Sequence, residues 1–214
     1  MIKQLKLGFS MMRYTYGMKM CVIIAGICLL FGFAAELFQV GITGALLFIA
    51  GGIWAIQLIS SLGVSSMIKT SKYAKAIETA IPAWINFAIY FVCYVVVIAC
   101  KLPRLFGASE EIIEHMVNEL LVYGIAAVVI MVFCGIAYKL FVISTIAIFV
   151  VCFGLNLLVG SSCLPDIKVS FGAAAVIGFV CLVVGALLQY GVSVLLYRVP
   201  LSKNAQLRGL QKYM

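Results

Sequence analysis

Apolar residues run along this chain in long blocks, separated by short polar segments. A helix needs about 20 apolar residues to cross about 30 Å of hydrocarbon. Six blocks approach or exceed that length, at about 21–40, 42–62, 84–100, 120–138, 140–160 and 170–197. They predict an all-α membrane protein, a single domain over 1–214 with six transmembrane helices. The first block could instead be a cleaved leader, since small Ala34 and Ala35 follow the apolar stretch. However, the blocks that follow form no soluble domain, and a long basic arm precedes it. An uncleaved first span is the expectation.

Residues 1–19 follow a different pattern. Ile2, Leu5, Phe9, Met12 and Tyr16 recur at steps of three and four, and Lys3, Lys6, Ser10 and Arg13 repeat the same steps beside them. An apolar stripe flanked by a basic one predicts an amphipathic interface helix lying among lipid headgroups, with Gly17 as a bend before the first span.

Composition agrees with the blocks. Of 214 residues, 65% are hydrophobic and 10% charged, and mean hydropathy is +1.22. Soluble domains hold about 45–50% apolar and about 25% charged residues. One core of this size could not hide the excess from water, and disorder is excluded by the same hydrophobicity.

The net charge of +8 acquires meaning from its placement. Lys3, Lys6, Arg13, Lys19, Lys69, Lys72, Lys75, Lys139, Arg198, Lys203, Arg208 and Lys212 fall on one side of the predicted bilayer, and Lys101, Arg104 and Lys168 on the other. The positive-inside rule assigns the larger group, and with it both termini, to the cytoplasm. In a bacterium that means a multi-pass protein of the plasma (inner) membrane, with residues 198–214 as a cytosolic tail. No basic run interleaves with exposed aromatics, so nucleic acid is not an expected partner.

Eight cysteines and a single histidine suggest no metal site, because seven cysteines lie in or beside spans and no Cys-x-x-Cys pair occurs. Cys93 and Cys100 share a helix face but stand about 10 Å apart along the axis, too far for a disulfide. The cysteines are expected to pack as small apolar groups. Glu36 is the one acidic residue inside a predicted span, and such carboxylates are functional suspects. Its shallow position near the outer end, beside Gln39, also suits simple contact with water. Gln57, Asn86, Asn156 and Gln189 are polar residues within spans, each needing an interhelical partner or water. Ala174, Gly178, Cys181 and Gly185 form a small-residue stripe that serves either packing within the chain or a dimer face.

The first cytosolic loop, 66–82, carries the densest local signal. Ser71 can cap a helix, Lys72 to Ala80 contain no breaker, and Pro82 ends whatever precedes it. Tyr73, Ile77 and Ala80 fall on one face, and Lys72, Lys75 and Thr79 on another. The pattern predicts a short two-sided helix projecting into the cytosol, either a docking knob for a partner or a membrane-hugging connector. The longest outer segment, 101–119, is broken by Pro103 and Gly107. Beyond Ser109 it becomes an acidic helix running into the fourth span, with Glu110 and Glu111 suited to its N-terminus. Glu111 and His115 stand four apart, which is too little for a metal site.

The sequence has no phosphate-binding glycine loop, no paired midplane carboxylates and no His/Glu pairs for an intramembrane metalloprotease. These features point to a non-enzyme that binds no cofactor itself and draws any energy from another polypeptide. With its interface helix and its loop from Met67 through Lys69, Thr70, Ser71, Lys72, Tyr73, Ala74 and Lys75 to Ile81 and Pro82, the chain resembles the small permease subunits of ABC-2-type exporters. That resemblance implies a cytosolic ABC ATPase as partner, ATP used only through that subunit, and a homodimer or paired permease in the bilayer. It also implies that Lys69, Ser71, Lys72, Tyr73, Lys75, Ile77 and Glu78 form the ATPase-docking element, with Tyr73 and Ile77 filling a groove. The outer segment Ser161–Ser170 is shorter than the re-entrant hairpin that many members carry. Two other readings stand beside it. One is a six-span substrate-binding subunit of an energy-coupling-factor-type importer, with an outer polar pocket near Glu36, Gln39 and 101–119. The other is a membrane scaffold without transport activity.

Overall fold

The computed structural model describes residues 18–38, 43–62, 74–137, 146, 150, 154 and 169–198. Among these, all regular structure is helical. The helices are α1 (Met18–Leu37), α2 (Thr43–Leu62), α3 (Ala74–Glu78), α4 (Ala80–Lys101), α5 (Glu110–Ala137) and α6 (Phe171–Tyr197), with a 3-10 turn at Leu102–Leu105. Four stretches are long and apolar enough to cross a membrane: Lys19–Leu37, Ala74–Leu105, Glu110–Ile136 and Phe171–Tyr197. The second expected span is a helix of 20 residues, α2. The interface helix 1–19 lies almost wholly outside the described residues. So does the fifth expected span, 140–160, of which only Ile146, Val150 and Gly154 are described.

The helices pack as two pairs joined by α4. The short connection between α1 and α2 makes them neighbours, as expected of a hairpin. Helices α5 and α6 form the most extensive pair, and α4 touches both pairs. The shared core holds Ile49, Tyr90, Tyr94, Leu120, Tyr123, Ile130, Met131 and Leu182, each at most 1% exposed. Helix α1 contributes little to it. Leu30, Phe31 and Met20 are 72%, 64% and 64% exposed, a face suited to lipid rather than water.

Glycine notches fix the position of α4. The Tyr90 ring occupies the space a β-carbon of Gly52 would take, and its hydroxyl donates to the Ile49 carbonyl at 3.4 Å. Tyr94 does the same at Gly178, donating to the Ala175 carbonyl at 3.1 Å. Tyr123 donates to the Tyr90 carbonyl at 3.2 Å. Three hydroxyls are thereby satisfied in an apolar interior, where an unmet one is costly.

The small-residue stripe on α6 is consumed within the chain. Ala174 and Gly178 are buried, and Gly178 faces Gly124 of α5 as well as Tyr94. A β-carbon on Gly185 would meet Met131 Sδ at 2.8 Å and Val128 Cα at 3.1 Å. Cys181 lies 3.2 Å from the β-carbon position of Gly124. The stripe therefore packs α6 on α5 and α4 rather than offering a free dimer face. The other expectation of close packing also has a residue-level outcome: Asn86 Nδ2 donates to Gln189 Oε1 at 2.8 Å, joining α4 to α6.

The loop reading requires correction at Pro82 and Ile77. Pro82 does not end a separate cytosolic helix; it sits in the first turn of α4, where its missing N–H costs nothing. Helices α3 and α4 are interrupted only at Thr79, whose N–H and hydroxyl both donate to the Lys75 carbonyl, at 3.0 and 2.6 Å. Ala74 and Ile77 are 6% and 3% exposed, so α3 is packed against the bundle through that face rather than projecting from it. Lys75 remains exposed and Glu78 is half-buried. Lys69, Ser71, Lys72 and Tyr73 lie outside the described residues.

Candidate functional site

The C-terminal ends of α1 and α4 and the N-terminal third of α5 meet at one end of the bundle. The chain turns there through Leu102–Leu105 and Gly107, whose φ of 92° is a left-handed conformation that glycine adopts at no steric cost. Helix α5 then begins at Glu110, with the Ile113 N–H reaching the Ser109 carbonyl at 3.1 Å.

This geometry buries charge. Lys101, the last residue of α4, is 3% exposed, Glu36 of α1 is 2% and Glu119 of α5 is 6%. The Lys101 ammonium lies 3.4 Å from Glu36 Oε2 and makes a direct ion pair with Glu119 Oε2. The other oxygen of Glu119 faces His115 Nδ1 at 3.3 Å, one helical turn back. Arg104 points elsewhere, its Nη2 donating to the Glu36 and Leu37 carbonyls at 2.7 and 3.0 Å. It thereby satisfies carbonyls that the end of α1 would leave unpaired, and places a cation at the negative end of the helix dipole.

Removing each ion from water costs several kcal/mol, in order-of-magnitude terms, so an end built only for stability would be expected to use apolar residues. Here one ammonium serves two carboxylates, and among the described residues Glu36 Oε1 is buried without a hydrogen-bond partner, as are Asn86 Oδ1 and Gln189 Nε2 between α4 and α6. Gly44 on α2 makes room for that carboxyl group, since a β-carbon there would lie 2.7 Å from Glu36 Cγ and 2.8 Å from Oε1. Beside the cluster is a cavity of about 420 Å³ lined by Glu36, Lys101, Arg104, Glu111, Ile112, His115, Met116 and Glu119. Glu111 and His115 are exposed at its rim, while Glu36, Lys101 and Glu119 form its buried wall.

Sequence reasoning singled out Glu36 and the 101–119 segment but read Lys101 and Glu119 as ordinary loop charges. Their signal was position: each stands within one turn of an apolar block, where folding can draw it inward. Gln39, the other residue expected at this pocket, lies outside the described residues. Among the described residues, no three His, Cys, Asp or Glu side chains are grouped to hold a metal ion, and the six described cysteines are all free.

A second cavity, about 460 Å³, lies between α4 and α6 and is lined by apolar and aromatic side chains, among them Trp84, Phe87, Leu187 and Tyr190. It carries little polar chemistry. No protein family, curated protein or solved structure matches this chain.

Proposed function

We propose that this protein is the membrane-spanning permease subunit of an ATP-driven exporter in a bacterial plasma membrane. In this reading six spans cross the bilayer, both termini are cytoplasmic, and two permease copies work with a separate ABC ATPase docked on the first cytosolic loop. The observation that carries it is the near-continuous helical stretch from Ala74 to Leu105. Lys75 is exposed at one end of it, in the basic segment that the positive-inside rule places in the cytosol, and Lys101 is locked into a charged cluster at the other. A displacement of the loop would therefore be transmitted along a stiff body to the outer end, with α2 and α6 coupled through Tyr90 and Tyr94. The burial of Ile77 removes it from the docking face, leaving Lys75, Lys72 and Tyr73 to meet the partner.

The experiment is site-specific photo-crosslinking in the native membrane, with a photoreactive residue replacing Lys75 and, separately, Lys72. An ABC ATPase captured at these positions supports the reading. Crosslinks to lipid alone overturn it.

The substrate-binding importer subunit is favoured by a different observation, the polar cavity at the end where Glu36 meets α4 and α5. Such a subunit needs a pocket on that side, whereas an exporter requires only an exit. Direct ligand binding by the isolated subunit separates the two readings.

A further inference from the structure

We infer that the groove between α4 and α6 binds an anionic phospholipid, an acyl chain lying along the groove and the phosphate received by Arg198. The inference rests on the part of the proposed function that sets these helices across a bilayer with Lys75 and Arg198 on the cytosolic side, and is independent of the ATPase.

Shape and register suit a hydrocarbon chain. Asn86 meets Gln189 and Tyr94 meets Ala175, so α4 and α6 run antiparallel, and the cavity of about 460 Å³ follows them from the level of Ala80 and Tyr190 to that of Phe87 and Val183. The small side chains of Ala80, Ala83 and Ala186 leave the depression, and Trp84, Phe87 and Tyr190 border it. The aromatic row continues from Trp84 and Phe87 to Phe91, whose ring meets Phe179 of α6 at 5.7 Å and joins the two helices beyond the deep end. A flexible chain laid in this channel gains the dispersion contacts that a void forfeits. Trp84 and Tyr190, apolar rings with a polar tip, suit the level where acyl chains give way to headgroups.

Charge selects the occupant. Beyond the mouth at Ala80 and Tyr190, Arg198 lies about 12 Å further along the axis of α6, and Lys75 about 8 Å before Ala80. Both cations are exposed, and α3, which carries Lys75, packs on α6 as well as on α4. Among the described residues the Arg198 side chain pairs with no carboxylate, and Glu78, the one described acidic residue at this end, has a partner of its own. A cation beyond the cytosolic mouth of an apolar groove matches a phosphate that carries a hydrocarbon chain, with Lys75 adding to the positive potential. A second copy of the chain is a poorer match. Two-fold pairing across this face, about an axis normal to the membrane, would set both Arg198 cations at the same end of one seam.

The test is quenching of Trp84 fluorescence by brominated lipids. Trp54→Phe leaves Trp84 as the single tryptophan, and the full chain is reconstituted in phosphatidylcholine with rising fractions of either brominated phosphatidylglycerol or brominated phosphatidylcholine. The brominated phosphatidylglycerol is expected to reach half-quenching at about a fivefold lower mole fraction, the factor that one cation near the surface supplies. Arg198→Gln, at an exposed position, should reduce this preference about twofold to fivefold. Ala186→Phe, which fills the groove, should leave only the unselective quenching of surrounding lipid. The inference is overturned if the two lipids quench alike, if either variant keeps the full preference, or if neither lipid quenches Trp84, which would mean that protein covers the groove. Because the readout is lipid contact by the isolated chain, failure to capture an ATPase at position 75 leaves this result intact.

Discussion

Two buried polar assemblies in this bundle make different use of the same apolar surroundings. Asn86 and Gln189 form a neutral pair, both 0% exposed, whose hydrogen bond ties α4 to α6. Glu36, Lys101 and Glu119 form a charged group at the end of the bundle, beside a cavity with an exposed rim. The neutral pair carries no charge out of water and fixes how two helices meet, although Asn86 Oδ1 and Gln189 Nε2 are buried without a partner among the described residues. Buried ions are costly, and their number here does not balance among the three side chains. The neutral pair ties two helices together, and the charged group, beside its cavity, is the candidate site.

The comparison is broken most severely by removing the shared cation. Lys101→Met leaves two buried carboxylates facing one another and should cost about 3–5 kcal/mol. Unfolding by SDS titration in mixed micelles measures this, and adding Glu119→Gln should return part of the loss, since the two residues act as one unit. A cost near zero would mean that the cluster is open to water.

Next in size are the notches that hold α4 between the two pairs. Gly52→Ala forces the buried Tyr90 ring from its seat and should cost about 1–3 kcal/mol by the same measurement. Gly191→Ala serves as its control, because among the described residues nothing stands within 4 Å of a β-carbon placed there. The neutral pair should matter less: Asn86→Leu is expected to cost about 0.6–1.7 kcal/mol, the range of interhelical hydrogen bonds in membranes. Asn86→Leu with Gln189→Leu together should cost less than the two singles added. The smallest effect belongs to the rim, where Glu111→Gln should change stability by less than about 0.5 kcal/mol.

Much of this was legible from residue order because lipid solubility is a local property. The long apolar blocks predicted α1, α2, α4, α5 and α6, and the need of Asn86 and Gln189 for interhelical partners followed from their positions within such blocks. The stripe of Ala174, Gly178, Cys181 and Gly185 announced close packing, though which helix fills it depends on tertiary arrangement. The start of α4 was misjudged because a proline stops one helix and suits the first turn of another equally well, and only the backbone decides which. The site was half visible. Glu36 drew notice as a carboxylate in an apolar run, but its meeting with Lys101 and Glu119 requires three helix ends to converge, and no spacing within a segment encodes that.

The central claim is that the charged cluster and the loop bearing Lys75 lie on opposite sides of a membrane, the cluster outside. Cysteine labelling tests it most directly. Glu111→Cys and Lys75→Cys, each in a background with the native cysteines replaced, are exposed to a membrane-impermeant maleimide in intact cells and again after permeabilisation. The account predicts that position 111 labels in intact cells and position 75 only once the membrane is opened. Labelling of both positions from the same side would contradict it.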